Sequence, residues 1–257
     1  MAATETRNGT TVCEILDWDS TFFGCRIARF RPERCLPEDR AAIAAECDAR
    51  DIACVYLLVD ASDTASIDNL QQMRAHLTDT RITFGTAVPR TVEAAPSRHG
   101  AVLVRPAIGA DIDALAGIAS VSHRDTRFHA DRHFNSARCD RLYEVWIENS
   151  CRGFADVVLV AEDVNGRLAG YVTCHKSTGT DRGHIGLFAV GADAQGRGVG
   201  SALLQGALDW FAAHDVSRMS VATQLRNLGA VQFYGRRGLL LTSAALWFHF
   251  WPRDVHV

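Results

Sequence analysis

The chain has 257 residues, 47% of them hydrophobic and 22% charged, with a formal net charge of −3. That length suits one large domain or two small ones, and the balance is that of a folded soluble protein. The near-neutral charge leaves no electrostatic footprint for nucleic acid, and no apolar run approaches the roughly 18 residues of a membrane helix, so neither partner is expected.

In chain order, residues 12–16 and 26–30 read as short strands flanking the segment Asp17-Trp18-Asp19-Ser20-Thr21-Phe22-Phe23-Gly24. A helix is predicted over 38–50, with Ile43 on its apolar face. The near-continuous apolar run 53–59 predicts a strand buried on both faces. A helix at 67–77 and a strand at 81–88 complete an α/β unit of about 90 residues. Residues 91–100 (TVEAAPSRHG) combine short side chains with Pro96 and Gly100 and predict a linker. The expected domains are therefore 1–95 and 100–257.

The second unit opens with a strand at 101–105 and a helix at 111–120, where Ile112, Leu115, Ala116 and Ala119 recur at helical spacing. Residues 121–135 are polar, aromatic and rich in His. Ser136 predicts the N-cap of a helix running to 151, with Leu142, Val145 and Trp146 inside. The period then changes. Strands are predicted at 156–162 and 168–175, joined through Asn165-Gly166, the strongest short hairpin signal in the chain. A strand at 184–190 precedes a glycine-rich loop, then a helix at 200–214, a strand at 218–222, a helix at 228–236, and one or two strands within 239–250. Both 70–86 and 231–247 read helix-then-strand, which leaves open that the first unit is a truncated echo of the second.

Eight cysteines (13, 25, 35, 47, 54, 139, 151 and 174) form no C-x-x-C pair and show no metal-like His spacing. The polar opening MAATETRNGTT lacks the apolar core of a signal peptide. Buried free thiols, a reducing cytoplasm and no bound metal are expected.

The loop Gln195-Gly196-Arg197-Gly198-Val199-Gly200 lies between an apolar strand and an amphipathic helix. That arrangement holds a diphosphate on backbone N–H groups at a helix N-terminus. A P-loop needs Lys-Ser/Thr after its last glycine, and here Ser201-Ala202 follows. A dinucleotide fingerprint needs an acidic residue about 20 positions on, and Asp215 before a strand keeps that option open. Gln-x-x-Gly-x-Gly after a strand, with an Asn and a Tyr one helix later, resembles the GCN5-related N-acetyltransferase (GNAT) superfamily. The blocks Asp19–Gly24, Tyr143-x-x-Trp146-Ile147-Glu148-Asn149-Ser150, Ile185-Gly186-Leu187 and Val221-Ala222-Thr223-Gln224-x-x-Asn227 narrow the resemblance to the dTDP-fucosamine acetyltransferases within it.

The resemblance implies an α/β acyl-CoA N-acyltransferase fold, a mixed twisted sheet flanked by helices, with a smaller N-terminal α/β domain. It implies acetyl-CoA as cosubstrate and direct transfer of acetyl to a primary amine, the amino group of a nucleotide-linked 4-amino-4,6-dideoxyhexose. Leu187, Phe188, Ala189 and Val190 would line the pantetheine arm; Gln195, Gly196, Arg197, Gly198, Val199, Gly200 and Ser201 would hold the diphosphate. Asn227 would contact CoA, although its place at a helix start equally makes it an N-cap. Tyr234, one of four tyrosines, would be the general acid that protonates the CoA thiolate; a phenol is protonated at neutral pH, as that role requires. Residues 121–135 would wall the acceptor site, with Ser122, His123, Arg127, Phe128, His129 and His133 as donors and stacking surfaces, and Glu148 is a further candidate there. For the base, Glu144, Glu148, Asp131 and His184 all stay open. Trp18, Phe22 and Phe23 would cap the acceptor site or cement a domain interface. The full-length connection from Val190 to Gln195 leaves the acceptor free to differ from the family's sugar. Rival readings are a GNAT enzyme acting on another small amine or with another acyl donor, and a non-catalytic CoA-binding sensor. A homodimer is compatible with all of them.

Overall fold

The computed structural model describes residues 11–89, 97–99 and 102–256. The polar N-terminal stretch and most of the expected linker lie outside these residues. Packing divides the chain into two compact units whose limits differ from the expected 1–95 and 100–257: residues 1–80, 130–134 and 244–257 form one, and residues 81–129 and 135–243 the other.

The first unit opens with strand β1 (Cys13–Ile15), helix α1 (Asp17–Phe23) and strand β2 (Ile27–Phe30). Helix α1 falls where the sequence predicted only a connection. Its first turn carries Asp17 and Asp19, which suit the positive end of the helix dipole, and Gly24 stops it at φ +75°. Helix α2 (Asp39–Arg50), strand β3 (Cys54–Asp60), helix α3 (Thr64–Gln72) and strand β4 (His76–Ala87) follow. Helix α3 starts three residues before its predicted position because the Asp63 side chain caps it, accepting from the Ser66 N–H at 3.3 Å. β1 pairs antiparallel with β2, and β2 parallel with β3. Residues 245–250 of the C-terminal strand pair antiparallel with β3. Alternation along β3 sends Val55, Leu57 and Val59 into one core with Ile43 and Cys47 of α2 and Leu70 of α3. On the other side Tyr56 lies against His249 and Phe134, and Phe23 packs on Phe134 with centroids 4.3 Å apart.

In the second unit, strand β5 (Ser97–His99) lies inside the segment read as a linker. Then come β6 (Val102–Pro106), α4 (Ile112–Ser122), the single turn α5 (Arg127–Ala130), α6 (Ser136–Asn149), β7 (Val157–Glu162), β8 (Leu168–Lys176), β9 (Arg182–Val190), α7 (Val199–Ala213), β10 (Arg218–Gln224), α8 (Leu228–Arg236) and β11 (Leu240–Phe250). The cap of α6 is Asn135, one residue before the Ser136 predicted; its carboxamide oxygen accepts from Ala137 and Arg138. The buried face of α6 carries Cys139, Leu142, Tyr143 and Ile147, rotated slightly from the predicted Leu142/Val145/Trp146 stripe. The strands run in the order β4-β10-β9-β8-β7-β6-β5, antiparallel except for β9 with β10. Helix α7 packs on β6, β7 and β8, while α4 packs on β8, β9 and α6. Asp215 sits in the turn before β10 rather than at a strand's C-terminal end, and the sheet is mostly antiparallel, which removes the dinucleotide-binding reading. Among the described residues no helix is long and apolar enough to cross a membrane, and no group of three His, Cys, Asp or Glu residues could hold a metal.

Candidate active site

The segment from the end of β9 to the start of α7 is shaped by two glycines. Gly196 and Gly198 adopt φ of +73° and +82°, a region in which a Cβ is strained. The Gln195 carboxamide donates to the Val190 carbonyl at 3.4 Å and draws the loop back over the strand. α7 then begins, the Gly198 carbonyl accepting from the Ala202 N–H at 3.0 Å. The N–H groups of this first turn lack intrahelical partners and sit at the positive end of a 15-residue helix. Gly200 faces α8, and a Cβ there would stand 3.4 Å from the Phe233 ring. The cradle therefore fits a diphosphate: donors converge, and no side chain projects from its glycines.

The strand before the loop separates from its neighbour. β9 pairs with β10 only as far as Ile185↔Val221, whereas β10 stays paired with β4 to Gln224↔Arg81. Residues 186–190 thus have no register partner on β10, and a V opens between two parallel strands. On its other edge β9 is locked by an irregularity against β8 between Val172 and Cys174. There the Leu187 N–H donates to Thr173 Oγ1 at 2.8 Å. This close approach requires glycine at 186, where a Cβ would lie 2.6 Å from His175 Nε2.

A cleft of about 630 Å³ lies at this V, between β9, the glycine loop, α8 and the end of α4. Its lining brings together most of the predicted donor-site residues: Phe188, Ala189, Val190, Gln195, Gly196, Gly198, Gly200, Ser201, Asn227 and Tyr234. Leu187, Arg197 and Val199 are not in the lining; Val199 is buried and Arg197 is exposed. Asn227 caps α8, its carboxamide oxygen accepting from the Ala230 N–H at 3.0 Å. Tyr234, two turns on, is 4% exposed. Its ring packs against Phe84, Phe188 and Phe233, at centroid distances of 5.6, 6.2 and 5.4 Å. Burial pushes its phenol well above the ordinary tyrosine range, so it stays protonated at neutral pH.

Several lining residues escaped the prediction of the donor site. Val121, Ser122, His123 and Asp125 come from the end of α4 and the loop after it, and Arg237 from the end of α8. Arg237 was findable: it stands four residues after Phe233 and three after Tyr234, on the same helical face, with its guanidinium 5.7 Å from the Phe233 centroid. His123 is stacked on Tyr143 and lies 2.9 Å from the Tyr171 hydroxyl. Burial holds its pKa at about 4, so the ring is neutral at pH 7.

The predicted acceptor residues fare differently, and none of Arg127, Phe128, His129 or Glu148 lines the cleft. Phe128 is 2% exposed, closed in by Trp146 and by the Arg127 guanidinium at 4.3 Å, which leaves no face for a sugar. Both ring nitrogens of His129 are engaged, with Thr126 at 2.8 Å and Asp140 at 3.0 Å. Glu148 pairs with Arg152, and Glu144 with Arg141, along the surface of α6. Asp131 belongs to the first unit, its carboxylate bound by His249, His133 and Trp251. His184 stacks on His175 at 4.7 Å; burial, then the charge of Arg81, holds it below the usual histidine value.

The profile of the Acetyltransferase (GNAT) family matches residues 110–239, the stretch that contains the V, the glycine loop and α8. The chain belongs to the GNAT family. It is an acetyltransferase with the GNAT fold, and GNAT acetyltransferases use acetyl-CoA. It is 32% identical over 240 residues to the dTDP-fucosamine acetyltransferase of Escherichia coli O6:H1 (strain CFT073), covering 92% of this chain and 96% of that one. It is also 25% identical over 142 residues to the spore coat polysaccharide biosynthesis protein SpsD of Bacillus subtilis (strain 168), covering 55% and 48% of the two chains. Among solved structures, a GCN5-related N-acetyltransferase from Sphaerobacter thermophilus superposes with a TM-score of 0.61 at 15% identity, over 92% of this chain and 75% of that one. At that identity the likeness is one of fold.

Proposed function

We propose that this GNAT enzyme N-acetylates the amino group of a nucleotide-linked amino sugar of the dTDP-4-amino-4,6-dideoxyhexose kind, by direct transfer from acetyl-CoA. The observation that carries the acceptor is the extent of the likeness to the E. coli dTDP-fucosamine acetyltransferase. It runs over 92% of this chain, far beyond residues 110–239 that match the family profile. A shared acetyl-CoA module alone would leave the first unit unmatched. The B. subtilis relative, named for polysaccharide biosynthesis, points to carbohydrate as well.

In this reading the first-turn N–H groups of α7 and the glycine loop bind the CoA diphosphate. The edge of β9 opposite β8, at 188–190, offers main-chain groups to the pantetheine arm and to the thioester oxygen. Acetyl-CoA supplies the activated acyl group. The amine attacks the thioester carbonyl, the C–N bond forms as the C–S bond breaks, and the amine's proton leaves to solvent. Tyr234, kept protonated by burial, gives its proton to the departing thiolate and regains one from water. His123 and Asp125, at the rim of the cleft, stand on the acceptor side of this arrangement.

The test is thiol release from acetyl-CoA with a panel of dTDP- and UDP-linked amino sugars, alongside simple amines and other acyl-CoA donors. Release with a dTDP-linked amino sugar, and a product heavier by one acetyl group, is expected. Release only with unrelated amines would overturn the acceptor. Tight CoA binding with no release for any amine would overturn the enzymatic reading in favour of a sensor.

A further inference from the structure

Helix α8 turns one face to the cleft. Asn227, Ala230, Phe233, Tyr234 and Arg237 recur at three- and four-residue spacing, and all belong to the lining. Phe233 faces the diphosphate cradle: a Cβ at Gly200, in the first turn of α7, would stand 3.4 Å from its ring. The guanidinium of Arg237 lies over the same ring, 5.7 Å from its centroid. One aromatic ring thus separates a cation from the N-terminal turn of α7.

The fold does not need this side chain. The Arg237 backbone N–H closes α8 on the Phe233 and Tyr234 carbonyls, each at 3.1 Å, and Gly238 turns the chain away at φ +79°. Arg237 is exposed, and among the described residues no carboxylate or other acceptor meets its guanidinium. The adjacent Arg236 differs: it donates to Gln232 Oε1 at 3.3 Å and stays outside the lining. Among the described residues that line the cleft, Arg237 is the one guanidinium and Asp125 the one carboxylate. Stacking on Phe233 steadies the Arg237 charge and leaves its N–H donors for a ligand.

The charge of the donor gives that cation a task. Besides its diphosphate, CoA carries a phosphate monoester at the 3′ position of the ribose that the diphosphate esterifies, so the monoester lies within one sugar of the cradle. A phosphate monoester holds about −1.5 to −2 at pH 7, whereas a helix N-terminus supplies only about half a positive charge. The N–H groups of α7 therefore suit the diphosphate and leave the monoester to a full charge. A guanidinium fork matches its oxygens. We propose that Arg237 binds the 3′-phosphate of CoA and so makes the enzyme select CoA over its 3′-dephosphorylated form. This rests on the acetyl-CoA reading of the cleft and assigns a residue that reads the donor far from the reacting bond.

CoA and 3′-dephospho-CoA, each titrated calorimetrically into the protein at fixed ionic strength, provide the test without turnover. The wild type should bind CoA about tenfold more tightly or better, as expected for one charge-assisted contact. Arg237→Gln should weaken CoA alone and bring the two affinities within about twofold of each other. Its unchanged affinity for 3′-dephospho-CoA certifies that it is folded. Arg237→Lys should keep part of the preference. Arg236→Gln removes the same unit charge outside the lining and should keep all of it. The assignment is overturned if the wild type does not distinguish the two ligands, or if Arg237→Gln retains the preference. Equal weakening of both ligands by Arg237→Gln, with an unchanged thermal midpoint, would place its contact elsewhere on CoA and overturn it too, as would loss of the preference in Arg236→Gln. If the wild type binds neither ligand, the acetyl-CoA reading of the cleft fails with it.

Discussion

At the scale of single residues, the strongest commitment concerns Tyr234. The side chain is almost wholly buried among Phe84, Phe188 and Phe233, yet it belongs to the lining of the cleft. Burial disfavours phenolate, so the hydroxyl holds its proton across the neutral and moderately alkaline range. Such a group can supply a proton but cannot serve as a resident base. Tyr234→Phe removes one oxygen and leaves the ring packing in place. Acetyl-CoA affinity should stay within about twofold while kcat falls by about 10²-fold or more, the usual worth of a positioned general acid. A variant with wild-type kcat would remove Tyr234 from the proton path. His123 contrasts with it: held at about pKa 4 by burial, it is neutral at pH 7 and could accept a proton only weakly.

At the scale of elements, most of the second unit was legible because its signals are local. Apolar alternation, the Asn165-Gly166 turn and the glycine pair before α7 each act over a few residues, and the hairpin forms with Gly166 at φ +77°. What was not legible depended on partners far away in sequence. Helix α1 was hidden because its seven residues carry only one buried residue, Phe23, and so show no helical period. The parting of β9 from β10 is likewise a matter of register and could be expected only through resemblance. Asn227 illustrates a residue with two readings at once, since it demonstrably caps α8 and also lines the cleft. The two roles separate by mutation. Asn227→Ser keeps a capping oxygen and should cost no more than about 0.5 kcal/mol of stability, whereas Asn227→Ala should cost about 1 kcal/mol. If the carboxamide also contacts CoA, both variants should weaken acetyl-CoA several-fold. Weakening by Ala alone would mean that only the cap matters. Urea unfolding and acetyl-CoA titration on the same two proteins give the answer.

At the scale of the whole molecule, the chain's path defeats any division drawn from sequence order. Residues 130–134 and 244–257 are packed into the first unit, and nothing in the pattern near Asp131 announces it. The cause is a buried carboxylate. Asp131, with its side chain 2% exposed, accepts from His249 Nδ1 at 2.7 Å and from Trp251 Nε1 at 2.9 Å. It also accepts from the backbone N–H of His133 at 3.0 Å and faces His133 Nδ1 at 2.7 Å. His133 Nε2 meets Asp254 at 2.9 Å, and His76 meets the same carboxylate at 3.2 Å. One connected network thus joins the 76, 131–133 and 249–254 stretches of the first unit. Burial alone would raise the Asp131 carboxyl; the bonds from His249, His133 and Trp251 outweigh it and hold the group well below the usual aspartate range. A carboxyl whose folded pKa lies below its unfolded value of about 4 stabilises the fold fully above that value, and the stabilisation is lost as pH falls through the folded one. Asp131→Asn keeps the shape but loses the charge and part of the acceptor capacity, and His249 is left buried beside an amide. The variant should lose about 3 kcal/mol or more at pH 7, as when one partner of a buried pair is removed. The gap between the two proteins should narrow below about pH 4, where the wild type begins to lose the same interaction. Urea midpoints measured from pH 7 down to pH 3 decide it: a gap that stays constant over that range would mean that packing of the 130–134 segment, and not the Asp131 charge, holds these three stretches together.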